Sequence, residues 1–311
     1  DQTSNWVGIC YLTPNAPPSG GTGFFQHKET GITEAPRKED GTYDMETLNR
    51  LFSLKNKHII IGGGCGQIGS SMASIVANSG ALVSVIDIDI EMGLEKFKNK
   101  NNINIYKCDV SNKKEVNNVF KKIRKDIGQI DGLVNCFHYK GDTRKLNVKS
   151  NFFSTFSNYE EQAWDNVHNV NLKGSFLTSQ AVIPYFEESR KGVIVNVSST
   201  YGIVSPNKNI YGDSGINSPV AYATSKSAII QLSKYLATHL AEKNIRVNTL
   251  SPGGVFNNQS SEFIKNYEKL TPLGRMATVR DYDGPIVFLL SDSSSYMTGS
   301  NLVVDGGWTA W

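Results

Sequence analysis

The sequence predicts an α/β fold in which helices cover both faces of a parallel β-sheet. Three observations carry this. Short apolar, β-branched runs alternate with longer stretches of helical spacing from about residue 54 to the end. The short runs are continuously apolar, as strands buried on both faces require. Glycines cluster at residues 62–69, where the first run meets the first helical stretch. At 311 residues, 39% hydrophobic and 20% charged, the chain can bury a full core and falls outside the disordered class.

The elements follow in order. Residues 58–61 form a short apolar run before the glycines, and 68–79 have helical spacing. Residues 81–86 read as the second strand, 104–107 as the third, and 113–127 as a helix. Further strands are expected at 130–135, 193–197 and 246–250, with long helical patterns at 161–187 and 221–242 between them. The lysines between Lys96 and Lys125 are expected on the wet faces of surface helices. No fixed period recurs, which excludes a solenoid.

Residues 1–51 differ in character, being rich in Gly, Pro, Thr and Asn. Two strands are expected at 6–12 and 23–27, separated by the turn-forming stretch 14–21. Two short strands are not stable alone. The segment is therefore expected to be an N-terminal extension or domain fragment, ahead of one domain over residues 52–311.

Charge and cysteine usage narrow the function classes. Lys plus Arg is 32 and Asp plus Glu 29, a net charge of +3 that gives no case for nucleic acid. No window reaches the roughly 18 continuous apolar residues of a membrane helix. The four cysteines, Cys10, Cys65, Cys108 and Cys136, form no CxxC pair and are expected as reduced, buried thiols. No metal site is expected. The first residues have neither the basic start nor the apolar core of a signal peptide, so a cytoplasmic location is expected. The chain begins without Met, which fits a fragment of a longer polypeptide.

The glycine turn, Gly62-Gly63-Gly64-Cys65-Gly66-Gln67-Ile68-Gly69, closes the first strand and opens the first helix. Gly63 suits the tight turn, Gly66 lets backbone N–H groups approach a pyrophosphate, and Gly69 lets the helix sit close on the strand. About twenty residues on, the second strand ends in Asp87, the expected position of an acid that binds the adenosine ribose hydroxyls. An acid there repels a 2′-phosphate, so the cofactor is read as NAD(H) rather than NADP(H). Asp109, after the third strand, reads equally as a residue near the adenine or as a helix cap. The fold class sharpens to a Rossmann-type, doubly wound parallel sheet.

Tyr222 and Lys226 stand at i and i+4, on one helix face. A phenol with pKa near 10 is a poor acid–base at neutral pH, and a neighbouring ammonium is expected to lower it. Ser198-Ser199-Thr200 end the strand at 193–197, where a hydroxyl is placed to hydrogen-bond a reacting oxygen.

With these motifs the chain resembles the short-chain dehydrogenases/reductases over about 258 of its 311 residues. The resemblance also rests on Leu133-Val134-Asn135, Asn171-Leu172-Lys173-Gly174, Ile245-Arg246-Val247-Asn248, Ser251-Pro252-Gly253-Gly254 and Val304-Asp305-Gly306-Gly307-Trp308. It implies hydride transfer between a secondary alcohol or ketone and nicotinamide. Tyr222 would be the general acid–base, Lys226 the residue that holds the nicotinamide ribose, Ser199 the group that polarises the substrate oxygen, and Asn171 the keeper of a water relay. The resemblance further implies cofactor contacts from Gly63, Gly66, Gln67, Ile68, Gly69, Asp87, Asp109, Val110, Asn135, Pro252, Gly253 and Val255. A homodimer or homotetramer, with the 221–242 helix at an interface, is implied as well.

The chain also departs from that family. Gly62 stands where Thr is common, and Cys136-Phe137-His138 replaces a common Asn-Ala-Gly. The glycine spacing is that of the family's extended branch. Residues 139–160 and 206–218 look like insertions where the family builds its substrate pocket; His138, Tyr139 and Lys140 sit near the expected cleft. The insertions and the 301–311 tail resemble oxidoreductases of flagellin modification and surface-glycan biosynthesis, which implies a sugar-like small-molecule substrate. The stretches 6–12 and 20–25 resemble a strand pair of iron- and 2-oxoglutarate-dependent oxygenases. Two alternatives remain: a catalytically silent NAD-binding scaffold, and the C-terminal half of a bifunctional oxygenase–dehydrogenase.

Overall fold

The computed structural model describes residues 45–139, 141, 151–214, 216 and 218–311. The strands expected at 6–12 and 23–27, Cys10 and Lys140 lie outside these residues. The chain divides into two units, residues 1–52 and 53–311. In the first, the described part is helix α1, Met45–Phe52.

The second unit carries seven parallel strands. In chain order they are β1 (His58–Gly62), β2 (Leu82–Asp87), β3 (Ile103–Lys107), β4 (Gly132–Asn135), β5 (Gly192–Val197), β6 (Ile245–Pro252) and β7 (Asn301–Val304). The sheet order is β3-β2-β1-β4-β5-β6-β7, so the order reverses between β1 and β4. At such a switch the crossover helices diverge to opposite faces and leave a crevice at the carboxyl ends of the strands. The fold is the expected α/β, Rossmann-like architecture.

The helices are α2 (Gln67–Asn78), α3 (Glu91–Phe97), α4 (Lys113–Ile127), α5 (Glu161–His168), α6 (Gly174–Ser189), α7 (Val220–Leu240), α8 (Ser261–Leu270) and α9 (Asp283–Leu290). Consecutive strand residues point to opposite faces, and β1 shows it. Ile59 and Ile61 pack with Met72 and Val76 of α2 and Ile286 and Leu289 of α9. Ile60 faces the opposite layer, with Phe120 of α4 and Leu177 and Phe186 of α6. Cys65 and Cys108 are buried thiols, both pushed up to about 12 by burial. The exposed lysines of α4 lie on its wet face, while β3 interrupts the Lys-rich stretch. Among the described residues no helix is long and apolar enough to cross a membrane.

Several boundaries differ from expectation. The pattern at 161–187 is not one α-helix: a five-residue π-turn, Asn169–Lys173, separates α5 from α6. Extra residues in a helical turn rotate the helix face, and such turns recur at functional sites. Helices α3, α8 and α9 and strand β7 were not expected. β7 is a short edge strand paired with β6 alone, and none of its residues is fully buried, so it lacks the buried-strand pattern.

Candidate active site

The glycine turn is shaped by backbone sterics. Gly63 has φ +72°, the left-handed region that favours glycine. A Cβ at Gly69 would stand 2.1 Å from the Gly63 carbonyl oxygen, so the first turn of α2 rests directly on the loop. First-turn amides have no intrahelical partner and present N–H groups and the positive helix end to the crevice. Two of the departures from the family pattern prove to be one packing exchange. A Cβ at Gly62 would meet the Phe137 ring at 2.8 Å, so the larger residue at 137 fills the space left by the smaller one at 62.

Asp87 ends β2 with both carboxylate oxygens engaged. One accepts from the Cys65 amide at 3.0 Å and the other from the Asp89 amide at 3.2 Å. Those bonds aim the carboxylate across the mouth of the glycine turn. Each oxygen retains acceptor capacity for ribose hydroxyls. Asp109 accepts from the backbone N–H and the hydroxyl of Ser111 and lines the crevice, while the cap of α4 is Asn112.

At the other end, Tyr222 and Lys226 lie one turn apart on α7, with the Lys226 Nζ 5.7 Å from the Tyr222 ring centre. Lys226 is 3% exposed and donates to the Val197 carbonyl at 2.8 Å. Burial lowers its ammonium from the usual range to about 8. The Tyr222 phenol is pushed up by burial, against the expectation that Lys226 lowers it; a hydrogen bond from Ser199 acts in the opposite direction. Burial is the largest influence on the phenol, and Lys226 does not offset it. The two adjacent serines divide the work. The Ser198 hydroxyl donates to the Lys226 carbonyl at 2.7 Å, whereas the Ser199 hydroxyl faces Tyr222 and accepts from the Tyr201 amide.

A single cleft of about 780 Å³ runs between these ends, a size that suits a small molecule or cofactor. Gly63, Gly66, Gln67, Ile68, Gly69, Asp87, Asp109, Val110, Ser199, Tyr222, Lys226, Pro252, Gly253 and Val255 line it. His138 and Tyr139 line it too, with the His138 ring edge-on to Tyr222 at 5.9 Å.

Two expected site residues do not line the cleft. Asn135 is buried in the sheet, where its amide donates to Asn196 at 2.8 Å and accepts from Thr178 at 2.9 Å. Asn171 is fully buried in the π-turn. Its side chain accepts from the Tyr139 amide at 2.8 Å and donates to the Ser225 hydroxyl at 2.9 Å. It thus ties the start of the 139–160 stretch to the helix that bears Tyr222 and Lys226. Residues the sequence reading did not assign also line the cleft, among them Tyr201, Tyr211, Phe263, Tyr267 and Met276. Two signals were available: Tyr201 stands just past the carboxyl end of β5, and Tyr211 falls in the 206–218 stretch expected at the substrate pocket.

The residues present fit a nicotinamide dinucleotide: glycines where a Cβ would clash, helix amides for a pyrophosphate, and a carboxylate one strand away. Among the described residues no group of three or more His, Cys, Asp or Glu is placed to hold a metal ion.

Comparison with known proteins agrees with this geometry. Residues 65–309 match the family model described as enoyl-(acyl carrier protein) reductase. The chain is 31% identical over 262 residues to post-translational flagellin modification protein A of Campylobacter coli, covering 82% of this chain and 99% of the relative. It is 33% identical over 263 residues to the 3-oxoacyl-[acyl-carrier-protein] reductase FabG of Thermotoga maritima, covering 82% and 98%. Among solved structures, a short chain dehydrogenase from Leptospira borgpetersenii with bound NAD+ is 36% identical, with a TM-score of 0.73 over 83% of this chain and 94% of that one. The chain belongs to the short-chain dehydrogenase/reductase family. It is an oxidoreductase that acts on CH–OH groups with a nicotinamide cofactor.

Proposed function

We propose that the protein is an NAD-dependent dehydrogenase that interconverts a secondary alcohol and a ketone on a sugar-like small molecule, in surface-glycan or flagellin modification. The observation that carries the reading is the pairing of Tyr222 and Ser199 at one end of a cleft whose other end holds Asp87. The likeness to the flagellin modification protein supports the substrate class.

Each residue then has a task. Asp87 binds the adenosine ribose hydroxyls and repels a 2′-phosphate. The α2 amides of Gln67, Ile68 and Gly69 hold the pyrophosphate. Lys226 holds the nicotinamide ribose, and Pro252, Gly253 and Val255 face the nicotinamide, with Gly253 fixed by a 2.9 Å bond to the Val304 carbonyl. Nicotinamide supplies the hydride chemistry when bound. Ser199 orients the substrate oxygen, and the Tyr222 phenol takes its proton during oxidation and returns it during reduction. Asn171 orders the wall behind Tyr222 and Lys226. The protein acts as a homodimer or homotetramer; the exposed Tyr235, stacked on His239 of α7, supports an interface on that helix. Residues 1–51 are an extension ahead of one catalytic domain.

The test is alcohol-dependent NADH formation by wild type and Tyr222→Phe. The variant should retain NADH binding and lose about a thousandfold in kcat, within the range of general acid–base contributions. Equal turnover in both would remove Tyr222 from the chemistry. Reduction of acetoacetyl thioesters in preference to every sugar would favour the activity named for the Thermotoga relative.

A further inference from the structure

The stretch 206–218 lies between Ser199 and Tyr222, and its short 3-10 turn Lys208–Tyr211 is firmly anchored. The Asn207 side chain caps the turn, accepting from the Asn209 amide at 3.0 Å. Ile210 is fully buried with Tyr267, Met276 and Trp308. The next residue, Tyr211, lines the cleft instead, its ring held against Phe263 at 5.4 Å between centres. This small core fixes a phenol at the substrate end of the cleft, on a segment the dehydrogenase chemistry does not itself require.

The surroundings of that phenol set what it offers a ligand. Burial pushes the Tyr211 phenol up from its ordinary value, and the neighbouring Ser218 and Tyr201 hydroxyls act in the opposite direction, so at neutral pH the group is a protonated phenol. The Tyr201 phenol beside it is also pushed up, chiefly by burial. A protonated phenol carries one O–H donor and an oxygen that also accepts. Tyr211 and Tyr222 line the same cleft, near enough for Tyr211 to act on the Tyr222 phenol. The cleft therefore holds two fixed contact points for substrate oxygens. Tyr222 with Ser199 engages the reacting oxygen, and Tyr211 stands beside them with a hydroxyl to donate.

We propose that Tyr211 is a specificity residue that binds a second oxygen of the substrate, on a carbon adjacent to the reacting one, so that the substrate class is a vicinal diol or its α-hydroxy ketone. This rests on the dehydrogenase reading and narrows it. Tyr211 is half-buried, and a donor that a bound ligand covers discriminates against an analogue with no oxygen to meet it, because the donor is then left unpaired.

The experiment compares matched alcohols on the full chain with saturating NAD+: trans-cyclohexane-1,2-diol against cyclohexanol, and butane-2,3-diol against 2-butanol. Wild type should prefer each diol by at least about tenfold in kcat/KM, and Tyr211→Phe should cut that ratio about tenfold. The loss should fall on KM for the diols, with kcat and the values for the simple alcohols within about twofold. Ser218→Ala, which removes a hydroxyl beside Tyr211, should move the ratio the same way by about threefold, and serves if Tyr211→Phe does not fold. Equal losses on diols and simple alcohols would make Tyr211 a packing residue and overturn the proposal. So would a wild type with no diol preference, or one that binds NADH and turns over none of the four alcohols. Failure to bind NADH at all would overturn the dehydrogenase reading and this inference with it; turnover without diol preference would overturn the inference alone.

Discussion

Replacing Lys226 by Met should stabilise the fold while abolishing turnover. The ammonium is 3% exposed, and burial holds its pKa at about 8 instead of 10.5. A shift of about 2.5 units at 1.36 kcal/mol each means that the charged form costs about 3 kcal/mol at pH 7. Met removes that cost and fills most of the volume. It also gives up the bond to the Val197 carbonyl, about 1 kcal/mol. The net gain at pH 7 is then about 2 kcal/mol, or a rise in Tm of roughly 4–8 °C for a domain of this size. The sign with pH follows from the lowered pKa. Below about 8 the lysine is protonated both folded and unfolded, and the full cost is present. Between about 8 and 10.5 the folded protein releases the proton first, so wild-type stability rises with pH and the advantage of the variant shrinks. At pH 9.5 the two should differ by about 2 kcal/mol less than at pH 7. Urea unfolding of both proteins at the two pH values, without cofactor, measures this. A variant less stable than wild type at pH 7, or a difference that does not change with pH, would refute the reasoning.

Two further substitutions test the geometry. Gly69→Ala places a Cβ 2.1 Å from the Gly63 carbonyl oxygen, so the turn must shift; NADH binding should fall at least about tenfold, with a loss of about 2 kcal/mol in unfolding free energy. Asn171→Leu leaves the Tyr139 amide without its acceptor and removes the donor to the Ser225 hydroxyl, which keeps its bond to the Tyr222 carbonyl; this should cost about 1–3 kcal/mol by chemical denaturation. A neutral result for Asn171→Leu would mean that the π-turn does not depend on its side chain.

Helix α4 was legible to the residue, because its apolar spacing is framed by a capping Asn112 and by Gly128 at φ +101°. The buried strands β1, β2 and β5 were legible for a similar reason, since each is a compact apolar run. The π-turn was not. Its residues keep helical spacing, and the extra residue in the turn is a property of packing around Asn171. Helix α9, with the sequence Asp-Gly-Pro-Ile-Val-Phe-Leu-Leu, is apolar all round and lacks the one-sided stripe that marks a surface helix. At the site, residue type was easier to read than role. Asn135 belongs to a recognisable motif, yet its amide joins β4, β5 and α6 rather than facing the cleft. The pKa of Tyr222 needed the depth of burial, which spacing does not report. The insertion at 206–218 was visible as extra length, but the burial of Ile210 that anchors it depends on α8 and on Trp308, far apart in the chain.

The most direct test of the account is cofactor titration by tryptophan fluorescence, comparing NADH with NADPH on wild type and on Asp87→Ala. Trp308 stacks on Tyr267 of the cleft wall at 4.2 Å and is a suitable reporter. The account predicts clear preference for NADH in wild type. In the variant NADH affinity should fall about tenfold or more while NADPH affinity is unchanged or improved, because a charged hydrogen-bond acceptor is lost and its repulsion of a 2′-phosphate goes with it. Equal affinity of wild type for the two cofactors, or an Asp87→Ala variant that keeps the wild-type preference, would contradict the assignment of Asp87 and of NAD. Binding of neither cofactor would contradict the site as a whole.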